Sequence, residues 1–148
     1  MSNCKERNLE LVTRITAFAD KDVVVSDPMN AGKKFIDGSE IWIPESGGVE
    51  VPFDPKSASV SESRSQALPG LSYECAVEFT LSEPNSVQYS QIDYLMDEPR
   101  DLIVETFGGN QFFIPTHPDT FDVEQWWNGK QLSVKISVTN VSGILQIL

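Results

Sequence analysis

Residues 71–81, LSYECAVEFTL, alternate between apolar and polar side chains at almost every position. A β-strand places successive side chains on opposite faces, so this two-residue period predicts a strand with one buried and one open face. Cys75 and Phe79 fall on the apolar face, whereas Glu74 and Glu78 fall on the polar one. The apolar face needs a second layer to pack against, which restricts the chain to folds built from stacked or closed sheets.

Turn signals separate further β-like runs along the chain. A glycine pair at 108–109 divides DLIVETF from QFFIP, so a hairpin is expected there. Residues 117–130, HPDTFDVEQWWNGK, are expected to be irregular, with a tight turn at the Asn-Gly pair 128–129 before the alternating strand KQLSVKISVTN. An Asp-Gly pair at 37–38 predicts another hairpin within FIDGSEIWIP. The β-branched run over residues 9–19 predicts one long first strand.

Residues 85–97, NSVQYSQIDYLMD, have the spacing of an amphipathic helix instead. Asn85 or Ser86 can cap its start, and Pro99 ends it. With about nine strands and this one short helix, the sequence predicts an all-β fold, either a β-sandwich or a barrel. We expect a single domain that covers residues 1–148.

The chain is strongly acidic, with 22 Asp and Glu against 11 Lys and Arg and a formal net charge of −11. Such a surface repels phosphate backbones, so sequence-specific nucleic-acid binding is not expected. No stretch approaches the roughly 18 apolar residues that a membrane-spanning helix needs, so we expect no membrane partner. The start, MSNCKERNLE, lacks the apolar core of a signal peptide, which leads us to expect synthesis and folding in the cytoplasm.

The reactive side chains do not form a catalytic pattern. His117 is the single histidine, and no serine lies in the G-x-S-x-G turn that a nucleophilic serine would use. Asp119, Asp122 and Glu124 follow this histidine, but their spacing does not match a calcium loop. Zinc would need further His or Cys ligands. We therefore expect no catalytic residues, no metal and no cofactor.

Residues 56–66, KSASVSESRSQ, are rich in serine and poor in large apolar side chains. One interpretation is a flexible linker or loop. The alternation of Ala58 and Val60 with serines favours instead an exposed extended arm, or an edge strand, that becomes ordered against another subunit.

Three segments of the chain follow one another in a recognisable order. They are the run FDPKSASVSESRSQALPGLSYECAVEFTLSEP, the hairpin DLIVETFGGNQFFIPT and the alternating strand KQLSVKISVTN. This order, over residues 53–140, resembles small virion structural proteins of the tail and neck region that are encoded by phages and prophages of Bacteroidetes. The chain departs from that pattern after Ile114, where PTHP replaces a short polar link.

The resemblance implies a β-sandwich or barrel that assembles with itself into a ring or tube, as a tail tube, terminator or connector protein does, and no enzyme. The implied partners are copies of the chain and neighbouring virion proteins, and the implied location is a virion whose proteins are made in the cytoplasm of the bacterial host. An acidic lumen would let DNA pass without sticking. The candidate subunit interface consists of Ser59, Ser61, Glu62, Arg64, Glu74, Glu78 and Trp127.

The tryptophans support an alternative function. Trp126 and Trp127 are adjacent, so on a strand one of them should face the core and the other solvent. Together with Trp42, an exposed tryptophan could stack on sugar rings or anchor a protein partner. The alternative is therefore a β-sandwich module that binds carbohydrate or protein, with Trp42, Trp126 and Trp127 as ligand contacts.

Overall fold

A computed structural model of the protein describes residues 6–9, 11–26, 34–67, 70–116, 119–140 and 142–148. These residues form thirteen strands and one α-helix, α1 (Ser86–Asp97). The strands are β1 (Glu6–Leu9), β2 (Val12–Ala19), β3 (Val24–Val25), β4 (Phe35–Ile36), β5 (Ile41–Trp42), β6 (Val49–Glu50), β7 (Ser59–Ala67), β8 (Gly70–Ser82), β9 (Arg100–Thr106), β10 (Gln111–Ile114), β11 (Asp122–Asn128), β12 (Gln131–Asn140) and β13 (Leu145–Ile147). The expected all-β fold with one short helix is confirmed, with more strands than expected because several are only two residues long.

The described strands pair into three sheets. The five-stranded sheet has the order β1-β7-β8-β12-β11, and every neighbouring pair in it is antiparallel. The six-stranded sheet has the order β4-β13-β10-β9-β2-β6, with β4 and β13 parallel and the other pairs antiparallel. Strands β3 and β5 form a small antiparallel sheet. The chain passes repeatedly between the two large sheets, so much of the pairing joins residues far apart in the sequence.

The two large sheets share one hydrophobic core, which gives the protein its sandwich-like layering. The buried residues of β8 are Tyr73, Cys75, Val77, Phe79 and Leu81, as the alternation predicts. The core residues of the six-stranded sheet include Ile15, Leu102, Val104, Phe112 and Ile114. Full burial of a side chain of this size stabilises a fold by roughly 1.5–3 kcal/mol, so this shared core is the main source of stability.

The six-stranded sheet is also covered on its second face. Ile103 and Phe113 alternate with the core residues of β9 and β10 and pack into a second cluster with Leu145. Val25 and Ile41, from the small β3–β5 sheet, pack against that cluster. Burial on both faces explains why β9 contains the uninterrupted apolar run LIV rather than an alternation.

Helix α1 contacts β6 and β11, which are the edge strands of the two large sheets. A capping box starts it, because Asn85 Oδ1 accepts from Gln88 N and Gln88 Oε1 accepts from Asn85 N, both at 2.9 Å. Ile92 and Leu95 anchor the helix in the shared core. The helix predicted over residues 85–97 is thus confirmed. No helix of the described chain is long and apolar enough to cross a membrane.

The prediction of an extended arm or loop over residues 56–66 is wrong. Most of this segment belongs to β7, which pairs with β8 on one side and with β1 on the other. Val60 is fully buried in the shared core. The serines alternate with core residues and lie on the open face of the sheet, so the serine-rich composition reflects that face rather than a linker.

The hairpin predicted around residues 37–38 is also wrong. Asp37 caps a 3₁₀ turn, Gly38–Glu40, by accepting a hydrogen bond from Ser39 N at 3.0 Å. The strand before this turn, β4, pairs with β13, and the strand after it, β5, pairs with β3. The Asp-Gly pair therefore connects strands of two different sheets.

The chain crosses from β12 to β13, and so between the large sheets, through a buried polar cluster. Glu62 of β7 is only 4% exposed, and its Oε2 accepts a hydrogen bond from the backbone N–H of Ile144. Asn140 accepts from the N–H of Gly143 and donates to the carbonyl of Pro115 at 2.9 Å. Gly143 has a φ of 72°, and a Cβ there would overlap Glu62 Oε2. Glycine is therefore required both by the backbone and by the carboxylate.

We expect Gly143→Ala to lower the free energy of unfolding by about 2 kcal/mol more than Gly129→Ala does. Gly129 is a matched control, because its φ is 69° but an added Cβ would have nothing within 4 Å. Both variants place alanine in a left-handed conformation, whereas only the first displaces Glu62 and leaves the Ile144 N–H without its acceptor. Urea unfolding of both variants measures the difference.

A Glu62→Ala background provides the internal check, because the overlap of the Cβ with the carboxylate disappears there and only the contact with Tyr73 Cδ1, at 3.0 Å, remains. The additional loss caused by Gly143→Ala should then shrink toward that of Gly129→Ala. Equal losses for the two glycine variants in the wild-type background would show that the contact with Glu62 does not constrain the crossover.

Candidate functional site

A cleft of about 700 Å³ opens at the margin of the shared core. It lies where the start of β2, the segment after β6, the first half of α1 and the β9–β10 turn come together. Clefts of roughly 300–1,000 Å³ with mostly apolar walls and a few polar groups are typical small-molecule sites. This cleft is therefore the candidate functional site.

The floor of the cleft is formed by side chains of the core itself. Val12, Val51 and Ala58 line the cleft and are buried members of the shared core. Phe53 packs beside them, with its ring centroid 6.3 Å from that of Phe79. An apolar ligand in the cleft would thus continue the hydrophobic core outward.

Two exposed apolar residues, Leu11 and Phe107, stand on the rim. The N–H of Phe107 donates to the carbonyl of Leu11 at 2.8 Å. Leu11 has a left-handed φ of 57° and lies where the chain leaves β1 of one sheet for β2 of the other. The single long strand predicted over residues 9–19 is therefore wrong, because the chain changes sheets within it.

Lys56 lines the cleft from a tight turn over residues 54–57. Ser57 N donates to Asp54 O at 3.0 Å, with Pro55 second in the turn and Lys56 third at a φ of 67°. A second-position proline and a positive φ at the third position are features of a type II turn, whose third residue is usually glycine. The turn is fixed to the end of β8, because Asp54 N donates to Thr80 O at 2.9 Å.

The charges around the cleft are unequally compensated. Glu50 also lines it, but this carboxylate pairs with Arg14 at 3.5 Å. Lys56 makes no ion pair with any other described residue. Thr13, Gln88 and Gln91 add neutral polar groups to the lining. Arg14 is shared with Glu105, 3.6 Å away, so these four charges balance, and Lys56 is the cation of the lining that lacks an ion-pair partner among the described residues.

A smaller cavity of about 180 Å³ is lined in part by Asp101, a buried residue. Burial raises the pKa of this carboxyl group from 3.8 to about 6. Hydrogen bonds from the backbone N–H groups of Thr116 and Lys21 act in the opposite direction, whereas the nearby charges of Asp20 and Asp22 raise the pKa further. The group is thus easier to protonate in the folded protein than in the unfolded chain.

We expect Asp101 to make the protein less stable as the pH rises. Its raised pKa means that the folded state binds the proton more tightly, so the stabilisation is complete below pH 3.8 and is lost as the pH rises through about 6. Relative to Asp101→Asn, the free energy of unfolding of the wild type should fall by on the order of 2–3 kcal/mol between about pH 4 and pH 7.5.

Urea unfolding at a series of pH values checks this expectation. Asparagine cannot accept both backbone hydrogen bonds equally, so the substitution shifts the free energy of unfolding by the same amount at every pH. The informative quantity is therefore the difference between the two proteins in how steeply the free energy of unfolding changes with pH. Parallel pH profiles for the two proteins would contradict a raised pKa at Asp101.

Four predicted interface residues, Ser59, Ser61, Glu74 and Glu78, share the open face of the five-stranded sheet, here called the outer face. Ser59 lies opposite Glu78, whose Oε1 is 3.9 Å from Lys135 Nζ. Exposed ion pairs of this kind contribute roughly 0–1 kcal/mol. The described members of this face on β7, β8 and β12 are Ser59, Ser61, Ser63, Ser72, Glu74, Ala76, Glu78, Thr80, Ser82, Gln131, Ser133, Lys135, Ser137 and Thr139.

Two other predicted interface residues, Glu62 and Arg64, do not belong to the outer face. Glu62 is buried in the crossover cluster, and Arg64 lies half-buried opposite Tyr73, on the side that faces the core. The prediction of Glu62 as an interface contact is wrong, because side chains alternate along β7 and the serines occupy its open side. For the half-buried Arg64, an interface contact stays a prediction.

The tryptophans are more exposed than predicted. Trp126 lies opposite Ser133 and is 47% exposed, whereas Trp127 lies opposite the buried Leu132 and is still 54% exposed. The expectation that one of the pair is buried is wrong, because β11 is the last strand of its sheet and its core-facing side is only partly covered. Trp42 is exposed in the separate β3–β5 sheet.

The last candidate group from the sequence is His117 with the acidic residues Asp119, Asp122 and Glu124. His117 lies outside the described residues. Among the residues that are described, no group of three or more His, Cys, Asp or Glu side chains is positioned to hold a metal ion.

The cleft is not predictable from the sequence pattern. Its residues come from four separate segments, and no local pattern shows that they meet. The tetrapeptide DPKS was the available signal, since proline in second position favours a tight turn and leaves lysine where glycine is usual. Comparisons of the chain with protein-family models, with curated proteins and with solved structures give no match.

Proposed function

We propose that this chain is a non-enzymatic structural protein that assembles with copies of itself through the outer edge of β11, as a virion protein of a phage tail or neck would. The observation that carries the proposal is the pair Trp126 and Trp127, both about half exposed on an edge strand. Tryptophan is enriched among the residues that dominate binding energy at protein interfaces.

The edge of β11 offers backbone groups as well as side chains. No described strand pairs with its outer side, although α1 contacts β11 and Met96 Sδ of the helix accepts from Gln125 Nε2 at 3.0 Å. An edge without a paired strand can accept a further strand. Addition of a strand to a sheet edge is a recurrent way for proteins to associate. Because Trp126 and Trp127 project from opposite faces, an added strand would meet an aromatic anchor on each face.

A second copy of the same strand is a chemically consistent partner. Antiparallel pairing about Gln125 would set Glu124 opposite Trp126 of the second copy and Val123 opposite its Trp127. No carboxylate would then lie directly opposite another. Cross-strand pairs between aromatic and β-branched side chains contribute roughly 0.2–1 kcal/mol each. A two-fold contact closes on itself, so a ring or tube would combine it with a second, different contact.

The polar surface agrees with a structural role in a virion. The outer face carries hydroxyl groups and the carboxylates of Glu74 and Glu78, with Lys135 as a described cation among them. A surface of this kind repels phosphate, which suits a wall that DNA passes without binding. The proposal places the assembled protein in a virion, after synthesis in the cytoplasm of the host bacterium.

The alternative of a carbohydrate-binding module has weaker support. A stacking platform needs aromatic rings on one surface, but Trp126 and Trp127 project from opposite faces of β11, and Trp42 belongs to another sheet. The same exposure fits a protein contact better, because an interface can enclose both faces of an edge strand.

We expect the wild-type protein to associate with increasing concentration and the double variant Trp126→Ser/Trp127→Ser to do so at least about tenfold more weakly. Loss of interface tryptophans commonly costs 1–2 kcal/mol or more each, and every 1.4 kcal/mol is a factor of ten in affinity. Light scattering across a concentration series gives the mass, and negative-stain images of the same samples distinguish dimers from rings or tubes.

Trp42→Ser is the matched control, because it removes an equally exposed tryptophan from a different sheet. It should leave association unchanged. A wild type that stays monomeric throughout the series, or a control that weakens association as much as the double variant, would count against assembly through β11.

A further inference from the structure

We propose that the cleft binds a small amphipathic carboxylate, with its apolar body against Val12, Val51 and Phe53 and its carboxylate at the ammonium group of Lys56. This site lies on different strands from the β11 edge and does not depend on the proposed assembly. Three independent observations support the proposal: the walls of the cleft, its charge and the backbone of the Lys56 turn.

The walls favour an apolar body. The floor is part of the shared core, and Leu11 and Phe107 extend the apolar surface onto the rim, where both are mostly exposed. Covering such surface contributes roughly 25 cal/mol per Å² of apolar area removed from water. A cleft of about 700 Å³ can enclose most of a small ligand. A single exposed leucine or phenylalanine outside a cleft could contact only one side of it.

The charge favours an anionic head group. Glu50 of β6 lies opposite Thr16 of the neighbouring strand β2. Its side chain is therefore on the same face of the sheet as Arg14, its ion-pair partner. Arg14 also pairs with Glu105 at 3.6 Å, so it compensates the charge of Glu50 only in part. Lys56 has no such partner among the described residues, in a chain with twice as many acidic as basic side chains. A bound carboxylate would supply the missing counter-charge.

The conformation of the turn indicates that position 56 is a lysine because of its side chain and not because of its backbone. A non-glycine residue with positive φ strains the backbone, and glycine would remove that strain. The hydrogen bonds that hold the turn come from Asp54 and Ser57, with Thr80 as their partner on β8. None of them uses the lysine side chain, so the fold does not need a lysine here.

The side-chain amides of Gln88 and Gln91 can also donate hydrogen bonds to a bound carboxylate. Gln88 uses its carbonyl oxygen for the capping hydrogen bond to Asn85 N, which leaves its NH₂ group for a ligand. Gln91 lies one turn further along α1 and also lines the cleft. Amide NH₂ groups donate to carboxylate oxygens. They therefore complement an anion without adding charge.

The test compares two probes of equal chain length by isothermal titration calorimetry, decanoate and decan-1-ol, each below its solubility or micelle limit. We expect saturable binding of decanoate that is tighter than that of decan-1-ol, because only the carboxylate can pair with Lys56. Absence of saturable decanoate binding, or equal affinity for the two probes, would overturn the proposal.

Two variants of Lys56 test the contact. Lys56→Gln should weaken decanoate binding about two- to fivefold, as expected for a partly exposed ion pair, and leave decan-1-ol binding unchanged. Lys56→Gly should weaken decanoate binding similarly, while the midpoint of thermal unfolding stays the same or rises. Lys130→Gln is the matched control, since it removes one exposed lysine from the β11–β12 turn. If Lys130→Gln weakens decanoate binding as much as Lys56→Gln does, the weakening comes from the change in net charge, and the proposed contact between Lys56 and the carboxylate is wrong.

A third variant tests the location. Gln91→Trp places a large ring in the cleft from the half-exposed surface of α1, where the helix tolerates it. It should weaken both probes at least about tenfold while the protein remains folded, as judged by circular dichroism. A folded variant that binds decanoate as the wild type does would exclude the cleft as the site.

Discussion

The hydrogen bond between the buried carboxylate of Glu62 and the backbone N–H of Ile144 connects the two large sheets at the point where the chain crosses between them. A buried acceptor and a buried donor would each be costly if unpaired, by about 1–3 kcal/mol. Their pairing requires Gly143, because any Cβ there would occupy the space of the carboxylate. Asn140 bonds to the N–H of Gly143 and the carbonyl of Pro115, so a hydrogen-bonded polar cluster within an apolar core specifies the crossover.

This constraint fixes the face on which the described side chains of β7 lie. With Glu62 turned inward, Val60 also faces the core, and the serines on either side of these two residues, Ser59, Ser61 and Ser63, must face outward. The neighbouring strands follow the same pleat, which produces a polar outer face and an apolar inner face across β8 and β12. Ala58 precedes this strand by one residue, four positions or roughly 13 Å from Glu62, and marks the beginning of the cleft. The core is thus closed by polar bonds at the crossover and left open to solvent at the cleft.

The sequence predicts those elements whose signals are local. Strand β8 follows from its alternation, α1 from its cap at Asn85, and the β9–β10 hairpin from the Gly-Gly pair. The Asn-Gly pair predicts the turn before β12, but the prediction of an irregular segment before it is wrong, because β11 forms there and pairs with β12. The Asp-Gly pair at 37–38 misleads, because the strands on its two sides find partners far away in the chain. The serine-rich segment misleads for a related reason. Its composition describes only one face, and the burial of Glu62 depends on Ile144, 82 residues away.

The candidate site depends even more strongly on long-range contacts. Its lining comes from four segments whose meeting is set by the sheet order, not by any local pattern. The β11 edge is similar, because adjacent tryptophans predict opposite faces but not that the strand is last in its sheet. What the sequence can indicate is the residue type at each position. Where that type conflicts with the local backbone, the conflict itself is informative.

Such conflicts occur at four non-glycine residues of the described chain, Leu11, Lys21, Lys56 and Glu83, all with positive φ. Each costs roughly 1–3 kcal/mol, which is considerable against a net stability of about 5–15 kcal/mol for a typical domain. Leu11 and Lys56 both line the cleft. The backbone hydrogen bonds around them, from Phe107 N to Leu11 O and from Ser57 N to Asp54 O, would survive replacement by glycine. The fold therefore explains the turns but not the two side chains, whereas a ligand held between an apolar rim and a cation would explain both.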